Sequence, residues 1–176
     1  MTHELAKNIG SSLAIKSVHI ALVIAYIIMI PISTIGRDNP IKALFWIVEW
    51  MKSEFALHII IGIIVFYACG YYFGGKAGND ILTKQYNYIW VGPLYGLLTL
   101  LSAVFLGSLT GFCLGIIHDL HYVDRLSEIR LDMFYDNFIN YIFKPIFWFS
   151  LFGLIPALLV GLWFGKSIHK KIVILT

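Results

Sequence analysis

The sequence predicts an all-α membrane protein, a four-helix transmembrane bundle, on three observations. Charge is scarce: 13% of the 176 residues are Asp, Glu, Lys or Arg and 59% are hydrophobic, with mean hydropathy +0.81. A soluble domain is closer to half apolar and a quarter charged. The charges also leave four long gaps, at 17–36, 55–75, 85–118 and 145–165, and roughly 20 mostly apolar residues carry a helix across a ~30 Å hydrocarbon core. Finally, a membrane strand alternates polar and apolar residues, whereas the run from Ile20 to Ile30 is apolar without alternation. Together these features predict a single membrane domain over 1–176.

The first span is expected at 17–35, closed by Gly36-Arg37-Asp38-Asn39-Pro40, with Pro31 placed to kink its end by removing a backbone donor. It is long for the apolar core of a signal peptide, and 33–36 lacks a small-x-small cleavage site, so it is read as an uncleaved span. Residues 41–54 carry Ile41, Leu44, Phe45, Val48 and Met51 at helical spacing but also Lys42, Glu49 and Lys52. That pattern predicts an interfacial helix, with Trp46 and Trp50 at the headgroup level that tryptophan prefers. Span two is expected at 55–74, followed by a polar connection at 75–85. Span three, 88–117, is longer than a bilayer requires, which implies tilt or protrusion. Residues 118–144 interleave charges with two apolar sets, Leu126, Ile129, Met133 and Leu131, Phe134, Phe138, Ile142, as an amphipathic segment does. Span four is expected at 145–165, ahead of a basic tail.

A net charge of +3 is too small to imply nucleic acid, but its distribution is informative. Lys7, Lys16, Lys76, Lys84, Lys166, Lys170 and Lys171 fall on one side of the predicted topology, and Arg37, Lys42, Lys52, Arg125, Arg130 and Lys144 on the other, so the count alone barely separates the two sides. The cluster in the tail and the short middle connection decide it: positive-inside reasoning places both termini and the middle connection in the cytoplasm, in a bacterial inner membrane. Lys76, Lys166, Lys170 and Lys171 become the candidates for docking a cytosolic protein partner.

Two stretches resemble one another. Residues 62–74 and 153–165 share three glycines, a phenylalanine and an aromatic residue before it, and each is followed by lysine. Chance in a low-diversity membrane composition accounts for this, or a duplication does; as a duplication it predicts two parallel helical hairpins, each with an outer amphipathic segment. Gly70-xxx-Gly74 and Gly161-xxx-Gly165 have the small-xxx-small spacing that lets helix backbones approach closely, as does Gly107-xxx-Gly111-xxx-Gly115. Such spacing serves packing within one chain or between subunits. For a chain expected to work as a homo-oligomer, Gly70, Gly74, Gly161 and Gly165 are the candidates for subunit packing.

Catalytic signatures are missing: the chain has no HExxH, no phosphate loop and no acid pair inside a span. Its two cysteines, Cys69 and Cys113, lie inside spans and form no CxxC motif. His118-Asp119-Leu120-His121 offers two ligands at i, i+3, whereas zinc takes three or four from protein, so neither a metal nor a catalytic role is assigned. His19, His58, His118 and His121 are the alternative candidates, as haem ligands. His19, His58 with Gly62, Tyr86-Asn87, Tyr95 and Thr110-Gly111 resemble the four-helix cytochrome b family that includes hydrogenase cytochrome subunits. That resemblance implies b-type haem, but the family carries two histidines on its fourth span and none occurs here from Phe143 to Phe164. No cofactor is therefore expected.

The expected function is non-catalytic: a membrane subunit that assembles with copies of itself in the lipid bilayer and scaffolds or signals to a cytosolic protein. The size, four spans and inside termini resemble the layout of the small membrane component of the Kiwa anti-phage system. That likeness implies a cytosolic effector, a homo-oligomeric scaffold and an envelope-sensing role in defence. The alternatives are a degenerate b-type cytochrome subunit and a small channel or immunity protein.

Overall fold

The computed structural model describes residues 3–34, 45, 48, 56–121 and 131–175. Trp46 and Trp50, expected at an interface, lie outside the described residues, as does nearly all of the 41–54 segment. Four long helices dominate: α1 (His3–Thr34), α2 (Ala56–Leu82), α3 (Tyr88–His121) and α5 (Lys144–Leu175). A short helix, α4 (Leu131–Phe138), feeds α5 through a π-helical turn at Ile139–Phe143. Among the described residues there is no strand. Four helical stretches, His3–Ile28, Ala56–Leu82, Tyr88–His121 and Leu131–Lys171, are long and apolar enough to cross a membrane. The chain is a multi-pass membrane protein built as an all-α four-helix bundle.

The helices run well beyond the charge-free stretches. α1 starts at His3, not near Ser17; α2 continues to Leu82, so most of the expected 75–85 connection is helix; and the basic tail is the last turns of α5. The reason is amphipathicity. Lys7, Lys16, Lys76, Lys166 and Lys170 are exposed, while Ala6, Ala14, Ala77, Ile81 and Ile168 on the same segments are buried. A charge ends a hydrocarbon span but not a helix whose other face still packs.

The start of α1, the end of α5 and the connection at 83–87 lie at one end of the bundle, called proximal here; the end of α1, the start of α2 and the end of α3 lie at the other, distal end. The main core sits proximally and takes residues from all four long helices: Ala6 and Ala14, Ala77, Ile81 and Leu82, Val91, Phe164 and Ile168. The proximal connection is firmly closed. Thr83 and Lys84 donate backbone N–H groups to Asn79 O, Tyr86 donates to Asp80 O, and Gln85 takes φ 56°, the left-handed conformation that often ends a helix. Asn87 then caps α3, its Oδ1 accepting the Ile89 N–H at 2.9 Å.

Glycine sets how closely the helices approach. A Cβ on Gly10 of α1 would strike Gly74 O and lie 2.7 Å from Gly78 Cα on α2; a Cβ on Gly92 of α3 would strike Gly161 O and lie 2.9 Å from Gly165 Cα on α5. One arrangement is therefore built twice, in α1–α2 and in α3–α5. Gly10 corresponds to Gly92, Gly74 to Gly161 and Gly78 to Gly165. Ile81 and Ile168, equally spaced beyond the crossing, are 1% and 0% exposed. Ser17 and Thr99 likewise return their hydroxyls to the carbonyls of Leu13 and Tyr95. The repeat is thus structural, but its register is one helical turn from the sequence overlay, which paired Gly74 with Gly165. Gly62 and Gly153 misled that overlay, because neither lies at a crossing: a Cβ on Gly62 would meet nothing within 4 Å, and one on Gly153 only the Leu100 side chain.

Candidate functional site

Among the described residues, the proximal end carries the densest set of exposed lysines. On α5, Lys166 and Lys170 stand one turn apart with Lys171 beside them, all exposed, around the fully buried Ile168. His169 stacks on Tyr88 of α3 with ring centroids 4.6 Å apart. The basic tail is therefore a packed helix and not a loose strand of lysines. Like charges at i, i+4 weaken a helix by a few tenths of a kcal/mol. Among the described residues no carboxylate pairs with Lys166, Lys170 or Lys171.

On the α1–α2 side, Gly75 makes room for Lys7 and Ser11: a Cβ there would lie 2.9 Å from Lys7 Cγ and from Ser11 Oγ. Ser11, almost wholly buried, donates to Tyr71 O at 3.0 Å. The Lys76 ammonium sits 4.6 Å from the centroid of the Tyr72 ring, a cation–π distance. Between α2 and α3, Asp80 accepts from the Tyr95 hydroxyl at 2.7 Å and pairs with Lys84 at 2.8 Å. The Asp80 hydrogen bond and charge hold the Lys84 ammonium above its ordinary pKa. Sequence reasoning set Asp80 against its neighbouring lysines but missed its role as a clasp between helices. The i, i+4 spacing of Asp80 and Lys84 was the available signal.

The four glycines expected at a subunit interface are buried inside the protomer. Gly74 faces Gly10 and Ala14, Gly70 faces Val18 and Thr99, Gly161 faces Gly92 and Pro93, and Gly165 faces Tyr88 and Gly92. Each stripe packs a hairpin, so none is left as a surface for a neighbouring copy. The spacing was read correctly, and the assignment to an oligomer contact is corrected.

The histidines are dispersed. His19 Nδ1 is 3.1 Å from the Tyr67 hydroxyl, a level about 13 Å along α2 from His58. The His58 ring lies 6.1 Å from the Tyr141 ring, and His118 Nδ1 lies 3.6 Å from Asp119 Oδ1. His121 is exposed at the end of α3. Among the described residues no three of His, Cys, Asp and Glu converge into a metal-binding group.

Distally, α4 and the π turn close onto α3. Asn137, 6% exposed, donates to Asp119 Oδ2 at 2.5 Å and to Met133 O at 2.9 Å. Tyr141 lies across Gly111 and Gly115, and a Cβ on Gly115 would strike Asn137 Oδ1. The third glycine run of α3 is therefore the seat for these two side chains. The surface beside them, lined by Ile116, Asp119, Leu120, Met133, Phe134 and Asn137, encloses no space that would admit a water molecule, and so is no small-molecule site.

No family model, curated protein or solved structure matches the chain.

Proposed function

We propose that this chain is a non-catalytic subunit of a bacterial inner membrane, with its proximal end in the cytoplasm, which offers a rigid lysine-bearing face to an acidic cytosolic protein. One observation carries the reading: Lys166, Lys170 and Lys171, with Lys76, stand exposed on helices whose other faces stay packed at the same level, through Ile81 and Ile168. Holding like charges together on a fixed scaffold favours an anionic partner, and it limits the ordering entropy lost on binding. The cluster of Lys166, Lys170 and Lys171 and the short connection bearing Lys84 support the cytoplasmic orientation. Self-association belongs to the same proposal. Because the glycine stripes are occupied, it falls to the outward faces of the bundle. An envelope-sensing role in anti-phage defence is the biological setting that fits such a scaffold.

The test has two arms. Reporters fused after Thr176 and near Asp124 read out orientation; the first is expected to be active in the cytoplasm and the second outside. Chain purified from its native cells is then expected to retain a soluble protein at low salt. Replacing Lys166, Lys170 and Lys171 by Gln should weaken retention about tenfold or more and flatten its salt dependence. Swapped reporter activities, or retention indifferent to both salt and the triple substitution, would reject the proposal.

A further inference from the structure

The apolar girdle of this bundle is uneven, and one step lies at the distal end. Proximally, the charge-free stretches of α3 and α5 end at one level, since Gly165 packs against Tyr88 and Gly92. Distally they do not. Tyr141 packs on Gly111 and Gly115, which sets Lys144, three residues nearer the proximal end, beside the 107–111 stretch of α3. α3 carries no charge until Asp119, and α2, whose Gly62 lies near Gly107, carries none from its first residue, Ala56, to Gly75. Lys144 therefore lies about 12 Å short of the level at which α3 leaves the apolar zone. It lies on the first turn of α5, and it is exposed on the outward face.

A lysine at that depth reaches for polar surroundings. Side chains lean toward the start of their helix, which for α5 is the distal direction, and the Lys144 ammonium donates to Asn140 Oδ1 at 2.6 Å, one turn distal. An ammonium has three N–H donors. Asp136 continues the row. It stands eight residues before Lys144, but the π turn between them absorbs one residue, so the two share a face as residues seven apart do. Asp136, Asn140 and Lys144 are all exposed. Below them, Phe147 and Trp148 face outward, as aromatics do at the boundary of the hydrocarbon.

We infer that Lys144, Asn140 and Asp136 form a headgroup site for a zwitterionic, amine-bearing phospholipid of the distal leaflet. The phosphate is drawn down to Lys144 and Asn140, and the headgroup ammonium lies toward Asp136. An anionic lipid satisfies Lys144 equally well but meets repulsion from Asp136. The order of charges along the helix, cation deep and anion shallow, matches the order of charges in the lipid. The site depends only on the chain's being in a bilayer and not on the function proposed above.

The chain reconstituted in nanodiscs of equal phosphatidylethanolamine and phosphatidylglycerol, then released into mild detergent, is read by native mass spectrometry. Wild-type protein is expected to retain phosphatidylethanolamine preferentially. Lys144→Gln and Asn140→Ala should each reduce that retention, the former by about tenfold, and Lys144→Arg should restore it. Asp136→Asn should keep the bound phospholipid and lose the preference for the amine headgroup. All three side chains are outward, so unchanged helicity and elution are the control for folding. Retention in Lys144→Gln equal to wild type would overturn the inference, as would a Lys144-dependent protein partner in place of lipid.

Discussion

Gly62 and Gly78 belong to the same helix and look interchangeable in the sequence, yet their surroundings differ completely. A Cβ on Gly78 would strike Ala6 O and lie 2.8 Å from Gly10 Cα, whereas one on Gly62 would meet nothing within 4 Å. Backbone atoms cannot rotate away as a side chain can, so an added methyl group has to push two helices apart. Gly10→Ala and Gly92→Ala are each expected to lower stability by about 1–3 kcal/mol or more. Gly62→Ala is expected to be neutral, or stabilising by up to about 1 kcal/mol through helix propensity. Thermal unfolding in detergent distinguishes them, and equal shifts for Gly10→Ala and Gly62→Ala would contradict the close crossing. The small-xxx-small spacing made one side of each contact legible, Gly74 in α2 and Gly161 with Gly165 in α5. On the other side, Gly92-xxx-Gly96 of α3 carries the same spacing, but Gly10 does not announce itself. It pairs with Ala6 and Ala14 rather than with another glycine, and it precedes the first charge-free stretch.

At the level of elements, composition located the four apolar helices but not where they end. Hydropathy measures transfer into hydrocarbon, and a helix leaves hydrocarbon before it unwinds. The same limit hid α4. Residues 131–144 read as an amphipathic segment with apolar faces, but the side chain that docks it is polar. Asn137 is inward while Phe134 and Phe138 are exposed. A π turn cannot be read from the 3.6-residue period, and one extra residue per turn rotates every side chain before it. Asn137→Ala removes both donors of the amide and leaves Asp119 without that contact. A loss of about 1–3 kcal/mol is expected, concentrated in the docking of α4. Hydrogen exchange should rise across 131–138 and remain unchanged at the proximal core. A uniform rise along the whole chain would mean that Asn137 supports the bundle generally.

At the scale of the whole molecule, two hairpins built on one plan meet along α2–α3 and α1–α5. Each hairpin makes its tightest contact within itself, Gly10 on Gly74 and Gly78 in one, Gly92 on Gly161 and Gly165 in the other. The only covalent link between them is the short connection at 83–87, next to both chain ends. The halves of the gene are therefore separable in principle: a ribosome finishing 1–84 has already made everything the first half needs to close. Residues 1–84 and 85–176, encoded as two open reading frames, are expected to insert independently and to reassemble, held by the Asp80–Tyr95 hydrogen bond and the shared core around Ile81, Leu82, Val91 and Ile168. Co-purification of the two fragments through a tag on one of them is the readout. Recovery should fall when Tyr95→Phe removes the hydroxyl that bridges the cut, whereas fragments that never associate would mean that the 83–87 connection does more than join two finished pieces.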